Sequence, residues 1–173
     1  DDAFFIGNAY VDGEVRSGKG RAYGAEFLVR KNFGLFTGWI SYTYSRSKRT
    51  LKDINFGEEY VSPFDRPHNI NIVLNYEFNR RFDISATWVY NTGQPVTYPY
   101  GKYTIDGVTY AIYNGERNKS RYPDYHRLDL SATLKCKNRH KNWKGEWNFS
   151  IYNAYGRKNT WAVIFVPTED GNV

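Results

Sequence analysis

The sequence predicts an all-β chain: an antiparallel up-and-down sheet of about six strands that forms a segment of a transmembrane β-barrel. Three observations carry this. Polarity alternates with period two along several segments of strand length, the connections between them alternate between short and long, and the composition is rich in aromatic residues but lacks methionine.

The composition of the 173 residues favours strands over helices. Aromatics make up 18%, with 16 Tyr, 11 Phe and 5 Trp, and there is no Met; aromatic side chains suit a pleated, half-buried surface. A chain with no Met does not begin at its own initiator, so it is expected to be processed, excised or incomplete. The longest apolar run, residues 161–166, falls far short of the roughly 20 residues of a spanning helix, and residues 1–10 lack a signal-peptide pattern. This excludes a helical membrane protein but not a barrel, whose alternating strands keep the mean hydropathy low; the value is −0.71.

The elements follow in order from the alternation. Residues 23–30 set Tyr23, Ala25, Phe27 and Val29 against Gly24, Glu26, Leu28 and Arg30, and residues 36–47 follow the same plan. In residues 69–76, Ile70, Ile72, Leu74 and Tyr76 oppose Asn69, Asn71, Val73 and Asn75. Residues 82–91 place Phe82, Ile84, Ala86, Trp88 and Tyr90 opposite Asp83, Ser85, Thr87, Val89 and Asn91. The cleanest segment is 127–136, with Leu128, Leu130, Ala132, Leu134 and Cys136 on one face and Arg127, Asp129, Ser131, Thr133 and Lys135 on the other. A sixth strand is expected over residues 145–155, and residues 160–166 extend it or start a seventh.

The connections 32–34, 79–81 and 138–144 are short, whereas 48–65 and 92–125 are long and rich in Gly, Pro, Asn and Tyr. All short turns therefore lie at one end of the sheet and all long loops at the other, the sidedness of outer-membrane barrels. A strand of about ten residues, rising about 3.3 Å per residue and tilted about 45°, covers roughly 23 Å of the membrane normal, close to the roughly 25 Å apolar band of such barrels. Tyr42, Tyr44, Tyr76, Tyr90, Tyr125 and Tyr155 fall near segment ends, where interfacial girdles are expected. Six or seven strands are fewer than the eight or so of the smallest single-chain barrels, and an open edge in lipid leaves backbone groups unsatisfied. Further strands are therefore expected.

In order and spacing, several motifs resemble the late barrel strands of TonB-dependent outer-membrane transporters, especially those of Bacteroidetes type. They are Tyr23-Gly24-Ala25-Glu26, Gly38-Trp39-Ile40-Ser41-Tyr42-Thr43-Tyr44-Ser45, Phe64-Asp65-Arg66-Pro67-His68-Asn69 and Tyr90-Asn91-Thr92-Gly93-Gln94-Pro95. The series continues with Arg117-Asn118, Tyr125-His126-Arg127-Leu128-Asp129-Leu130-Ser131 and Tyr152-Asn153-Ala154-Tyr155-Gly156-Arg157-Lys158-Asn159. The resemblance implies that residues 1–173 are an incomplete C-terminal part of a barrel of about 22 strands whose lumen is closed by a plug domain. It implies uptake of a nutrient (a glycan, peptide or metal chelate) with energy from TonB. The plug, the TonB box and the terminal strand would lie outside this chain. The expected partners are outer-membrane lipid, the remaining strands and plug, TonB and a surface lipoprotein.

Candidate chemistry is sparse. His68 and His126 fall at loop-to-strand junctions on the long-loop end without acidic or Cys company at metal-ligand spacing, and His140 falls on the other end, so no metal site is expected. Cys136 has no partner for a disulfide or a CxxC site. Asp124 and Asp129 flank His126 but no nucleophile scaffold surrounds them, so neither enzymatic activity nor a cofactor is expected. The net charge of +6 comes from dispersed residues and short clusters at strand ends and turns (Arg46, Lys48 and Arg49; Lys135, Lys137, Arg139 and Lys141) without a nucleic-acid motif, so no nucleic acid is expected.

Substrate contact is expected at the long-loop end. Tyr100, Tyr103, Tyr113, Arg117 and Asn118 combine stacking surfaces with hydrogen-bond donors, and Tyr98, Tyr110 and Trp161 add aromatic area, unless these rings pack the loop against itself. Arg127, Asp129, Ser131 and Thr133 are expected to line the lumen. Alternation shows that one face is dry, not what dries it, so a soluble secreted β-sandwich or barrel acting as a binding module stays open.

Overall fold

A computed structural model describes residues 17–106, 108–113, 116–136 and 145–163. Eleven strands follow one another: β1 (Gly18–Lys31), β2 (Phe36–Leu51), β3 (Tyr60–Val61), β4 (His68–Asn79), β5 (Phe82–Asn91), β6 (Pro95–Val96), β7 (Gly101–Ile105), β8 (Val108–Ile112), β9 (Ser120–Arg121), β10 (Tyr125–Lys135) and β11 (Glu146–Ile151). Six of them form one antiparallel path in the order β1-β2-β4-β5-β10-β11, with the short β3 added to β2. Neighbours along the path are neighbours in sequence once the short loop strands are set aside, which is the up-and-down order that the alternation predicts.

The register carries the alternation across the sheet. Phe27 faces Tyr42, Tyr42 faces Ile70, and Ile70 faces Tyr90; Tyr90 faces His126, and farther along β10 Leu130 faces Ile151. The predominantly apolar sets thus fall on one side, while Leu28, Trp39, Val73 and Val89 lie among the polar residues of the other. In a globular domain the apolar side would be the core, yet Phe27 stays 61% exposed and Phe149 64%. Among the described residues Tyr60, at the long-loop end, is the one buried hydrophobic side chain. The second layer that a soluble sandwich needs is absent among the described residues, so none of them packs against the apolar face.

The opposite face is held by polar side chains in ladders. Asn69 donates to Asn91 Oδ1 at 2.7 Å and Asn71 to Asn69 Oδ1 at 2.7 Å. Farther along, Ser85 and Ser131 share a hydroxyl bond of 2.7 Å, and Asn148 donates to Thr133 Oγ1 at 3.1 Å.

Two short connections are explained by local chemistry. Gly34 takes φ +88° between β1 and β2, a left-handed conformation that costs glycine little. Between β4 and β5, Asn79 Oδ1 accepts the backbone N–H groups of Arg81 at 2.9 Å and Phe82 at 3.1 Å, an Asx turn. The third connection, expected at 138–144, lies outside the described residues, as do Lys137, Arg139, His140 and Lys141.

The structure corrects the sequence reading at three places. The final strand ends at Ile151 rather than residue 155, because Asn153 (φ 54°) and Gly156 (φ 65°) turn the chain and Asn153 N–H is taken by Asp129 Oδ1 at 2.9 Å. Residues 160–163 form no strand, and 164–166 lie outside the described residues. Tyr125 does not join a girdle on the apolar face: it shares the polar face with Arg127, whose Nη1 donates to its hydroxyl at 3.1 Å.

Gly38 lies where β2 meets β4, with φ +150°. A Cβ there would stand 2.1 Å from the Val73 carbonyl oxygen, inside the ladder itself. Gly38→Val is therefore expected to destabilise the protein by about 1–3 kcal/mol, the cost of strained backbone and a disrupted pair. A denaturant midpoint unchanged from wild type would show that β2 and β4 are not so tightly apposed.

Candidate functional site

The long loops, residues 52–67 and 92–124, join their strands at the same end of the sheet and are tied to each other by buried polar groups. Asp65 is the central tie, its carboxylate wholly removed from solvent. Oδ1 accepts Ser47 N–H at 2.6 Å and Arg46 Nε at 3.3 Å, while Arg121 pairs with Oδ2 through Nη2. Arg121 Nη1 also donates to the carbonyls of Asp65 at 2.7 Å and Gly93 at 3.0 Å. One carboxylate and one guanidinium thus fasten the end of β2 to both loops, and the two arginines supply the compensation that a buried charge requires.

Two further ties surround it. Asn118, 9% exposed and at φ 57°, donates from Nδ2 to the Val61 carbonyl at 2.7 Å, and its N–H reaches Thr97 Oγ1 at 2.8 Å. Asp124 accepts Tyr90 OH at 2.6 Å and Gly93 N–H at 2.8 Å, and its own carbonyl accepts Arg157 Nη2 at 2.9 Å. Gly93 is required by space, since a Cβ would lie 1.7 Å from the Tyr122 carbonyl oxygen. The Tyr90 hydroxyl bond above all holds the Asp124 carboxyl below its ordinary range; partial burial works against this, and the Gly93 N–H and the nearby Arg157 and Arg121 charges reinforce it. Glu59 is lowered as well, by hydrogen bonds from Lys48 and Arg21.

From this base the hairpin β7–β8 projects. Tyr103 stacks on Tyr110 at 5.2 Å between centroids, and Ile105 lies opposite Val108, so one hairpin face is apolar and open to solvent. Tyr100 and Tyr113 flank it, 69% and 55% exposed. Of the five residues expected to touch substrate, Tyr100, Tyr103 and Tyr113 therefore gather on or beside one hairpin. Arg117 lies below them with its guanidinium 5.9 Å from the Tyr60 ring centroid, and its N–H donates to Asn55 Oδ1 at 2.8 Å. Asn118 is committed to the tie between the loops. Tyr98 meets Tyr122 within loop 92–124, while Trp161 is almost fully exposed.

The four residues expected in the lumen share the polar face. Arg127 and Asp129 pair at 2.8 Å, and the Arg127 guanidinium lies 4.1 Å over the Tyr152 ring and bonds its hydroxyl. Ser131 and Thr133 continue the ladder described above. His68 and His126 do not converge: His68 Nδ1 bonds Tyr42 OH at 2.9 Å, and His126 Nδ1 bonds Tyr155 OH at 2.7 Å. Among the described residues no three His, Cys, Asp or Glu side chains come together as a metal site would need.

The Asp65 knot and the β7–β8 hairpin were not singled out from the sequence. The hairpin had a readable signal: Asp106-Gly107, the strongest two-residue hairpin pair, sits between Tyr103/Ile105 and Val108/Tyr110, and Asp106 takes φ 51°. The knot had none, because Asp65 and Arg121 are 56 residues apart.

Asp65→Ala is expected to leave Arg121 and Arg46 without their carboxylate at a cost of about 3–5 kcal/mol. Both long loops would then become sensitive to protease while the strands stay protected; cleavage confined to one loop would show that Asp65 does not couple them. The lowered Asp124 carboxyl makes a pH prediction. Its contribution is fully present above the ordinary carboxylate range and is lost as pH falls through the depressed folded value. Hydrogen exchange at Gly93 should therefore stay protected through the ordinary carboxylate range and open only below it; opening within that range would contradict the assignment.

A family model described as TonB dependent receptor-like, beta-barrel, matches residues 2–154. No curated protein and no solved structure matches. With an antiparallel sheet in up-and-down order, apolar on one face and polar on the other, and a match spanning most of its length, the chain belongs to the family of TonB-dependent receptor-like β-barrels, an outer-membrane transport family.

Proposed function

We propose that this chain is the late, C-terminal portion of a barrel of Bacteroidetes type, resident in the outer membrane, which binds a nutrient at its long-loop end and admits it with energy relayed by TonB. The nutrient is a glycan, a peptide or a metal chelate. The role is transport, without a catalytic step. Arg127, Asp129, Ser131 and Thr133 line the lumen toward the plug, and Tyr100, Tyr103, Tyr113, Arg117 and Asn118 form or brace the outer contact surface, where a surface lipoprotein also meets the barrel.

The observation that carries the membrane part is the apolar face, which no described residue covers. Aromatic groups bound it at both ends. Phe27, Tyr42 and His68 stack at the long-loop end together with the Trp88–Tyr90 pair, and at the short-turn end Phe78 meets Tyr76 edge to face and stacks on Phe82. From Tyr90 to Phe82 the tilted strand covers about 19 Å, the scale of a lipid-facing band between two girdles. Binding rests on the hairpin, since exposed tyrosines with one apolar face and nearby amides suit the flat faces of sugars and peptides.

The test is a pair of substitutions at equal depth in the full-length protein. Leu130→Arg places a cation on the apolar face at mid-strand and should lower barrel stability by about 2–4 kcal/mol, seen as loss of heat-resistant folded protein from the outer-membrane fraction. Thr87→Arg falls on the polar face opposite Asp129 and should assemble normally. Cells lacking TonB should still bind the nutrient at the surface but fail to accumulate it. Equal tolerance of both arginines, with protein recovered without detergent, would sink the membrane reading; accumulation without TonB would sink the coupling.

A further inference from the structure

The apolar face is not flat near the short-turn end. Across β4, β5, β10 and β11, one ladder row reads Tyr76, Ile84, Ala132, Phe149 and the next reads Leu74, Ala86, Leu130, Ile151. Each row dips where an alanine stands among larger side chains. With Phe36 closing one side beside Tyr76, the dip becomes a groove of about 400 Å³.

The rim beyond the groove is charged with one sign. Lys31 shares the apolar face with Phe27 and Val29, and its Nζ lies 5.8 Å from the centroid of Phe36, a groove wall. The β4–β5 turn carries Arg80 and Arg81, both exposed, and Arg81 Nε donates to the Lys135 carbonyl at 3.1 Å, holding this guanidinium across the end of β10. The acidic side chains of that end lie on the other face. Glu77 pairs in register with Asp83, Asp83 meets Lys135 Nζ at 3.5 Å, and Glu146 faces Lys135. Among the described residues the acidic side chains of this end thus lie on the polar face, while Lys31 lies on the apolar face and Arg80 and Arg81 stand at the end of the sheet between the two. From Tyr76 to Arg80 is about 13 Å of strand, within reach of one lipid molecule.

We propose that this groove binds an anionic phospholipid of the periplasm-facing leaflet, one acyl chain lying over Ala86 and Ala132 and the phosphate held by Lys31, Arg80 and Arg81. The site rests on the membrane reading above, which sets the short turns on the periplasmic side. A trough whose surface is almost wholly hydrocarbon selects a hydrocarbon chain. Cations that reach out from an apolar stem at its mouth select a phosphate at the interface. Because the two parts are continuous, they fit a molecule that is both chain and anion.

The test is native mass spectrometry of the full-length protein released from micelles doped with phosphatidylglycerol or, separately, phosphatidylcholine. The wild type should retain one phosphatidylglycerol, several-fold more often than phosphatidylcholine. Arg80→Glu with Arg81→Glu should lower that retention several-fold, and so should Ala132→Phe, which fills the trough, with Ala86→Leu taking its place if Ala132→Phe fails to assemble. Leu128→Phe, a bulky change elsewhere on the same face, should leave retention as it is. Retention that survives either the charge reversal or the filling, or that is equal for the two lipids, overturns the site. A folded, detergent-dependent barrel with no such preference defeats this site alone, whereas a protein that stays soluble without detergent defeats the membrane reading beneath it.

Discussion

Everything in this sheet depends on how its backbone hydrogen bonds are satisfied while one of its faces stays dry. A strand in lipid cannot leave N–H and C=O groups unpaired, and a helix solves the problem within itself. Strands solve it only through neighbours. The unbroken path from β1 to β11 does this for every interior strand, and the period-two alternation lets the ladder run between a lipid-compatible surface and a wet one. Among the described residues the outermost strands of the path, β1 and β11, each have one neighbour.

A sheet without a core has to obtain rigidity elsewhere, and two devices supply it. On the polar face, the short side chains of Asn69, Asn71, Ser85, Ser131 and Thr133 bond laterally across the strands. At the long-loop end the buried polar groups are concentrated: Asp65, Ser62 and Asn118 are nearly inaccessible, while the strands carry almost none. That distribution is the reverse of a globular domain. The loops behave as the compact part of the molecule, with a charged interior, and the barrel wall as its extended surface.

This inversion explains what was legible from the sequence. The strands were, because alternation is local: Leu128, Leu130, Ala132 and Leu134 announce their face without reference to any other segment, and the short turns at Gly34 and Asn79 follow from their own residues. The up-and-down order was legible too, from the rhythm of loop lengths. The end of β11 was not, because the Asn153 N–H that leaves the ladder is claimed by Asp129 on another strand. Tyr125 was misplaced because an aromatic at a strand end says nothing of its face until the register sets it beside Arg127. The loop ties were least legible of all. Asp65, Arg121 and Asn118 look like ordinary exposed loop residues until folding brings them together.

The arrangement also separates two tasks that compete in most binding proteins. A recognition surface gains from adaptable loops, but loops without anchors lose entropy on binding and so bind weakly. Here the anchors, Asp65, Asn118 and Asp124, act at the base of the loops, and the tyrosines of β7–β8 stand beyond them with few constraints of their own. The base of the loops is thus ordered by the protein's own bonds. The loop chemistry at the tip can therefore vary without disturbing the strands that carry it.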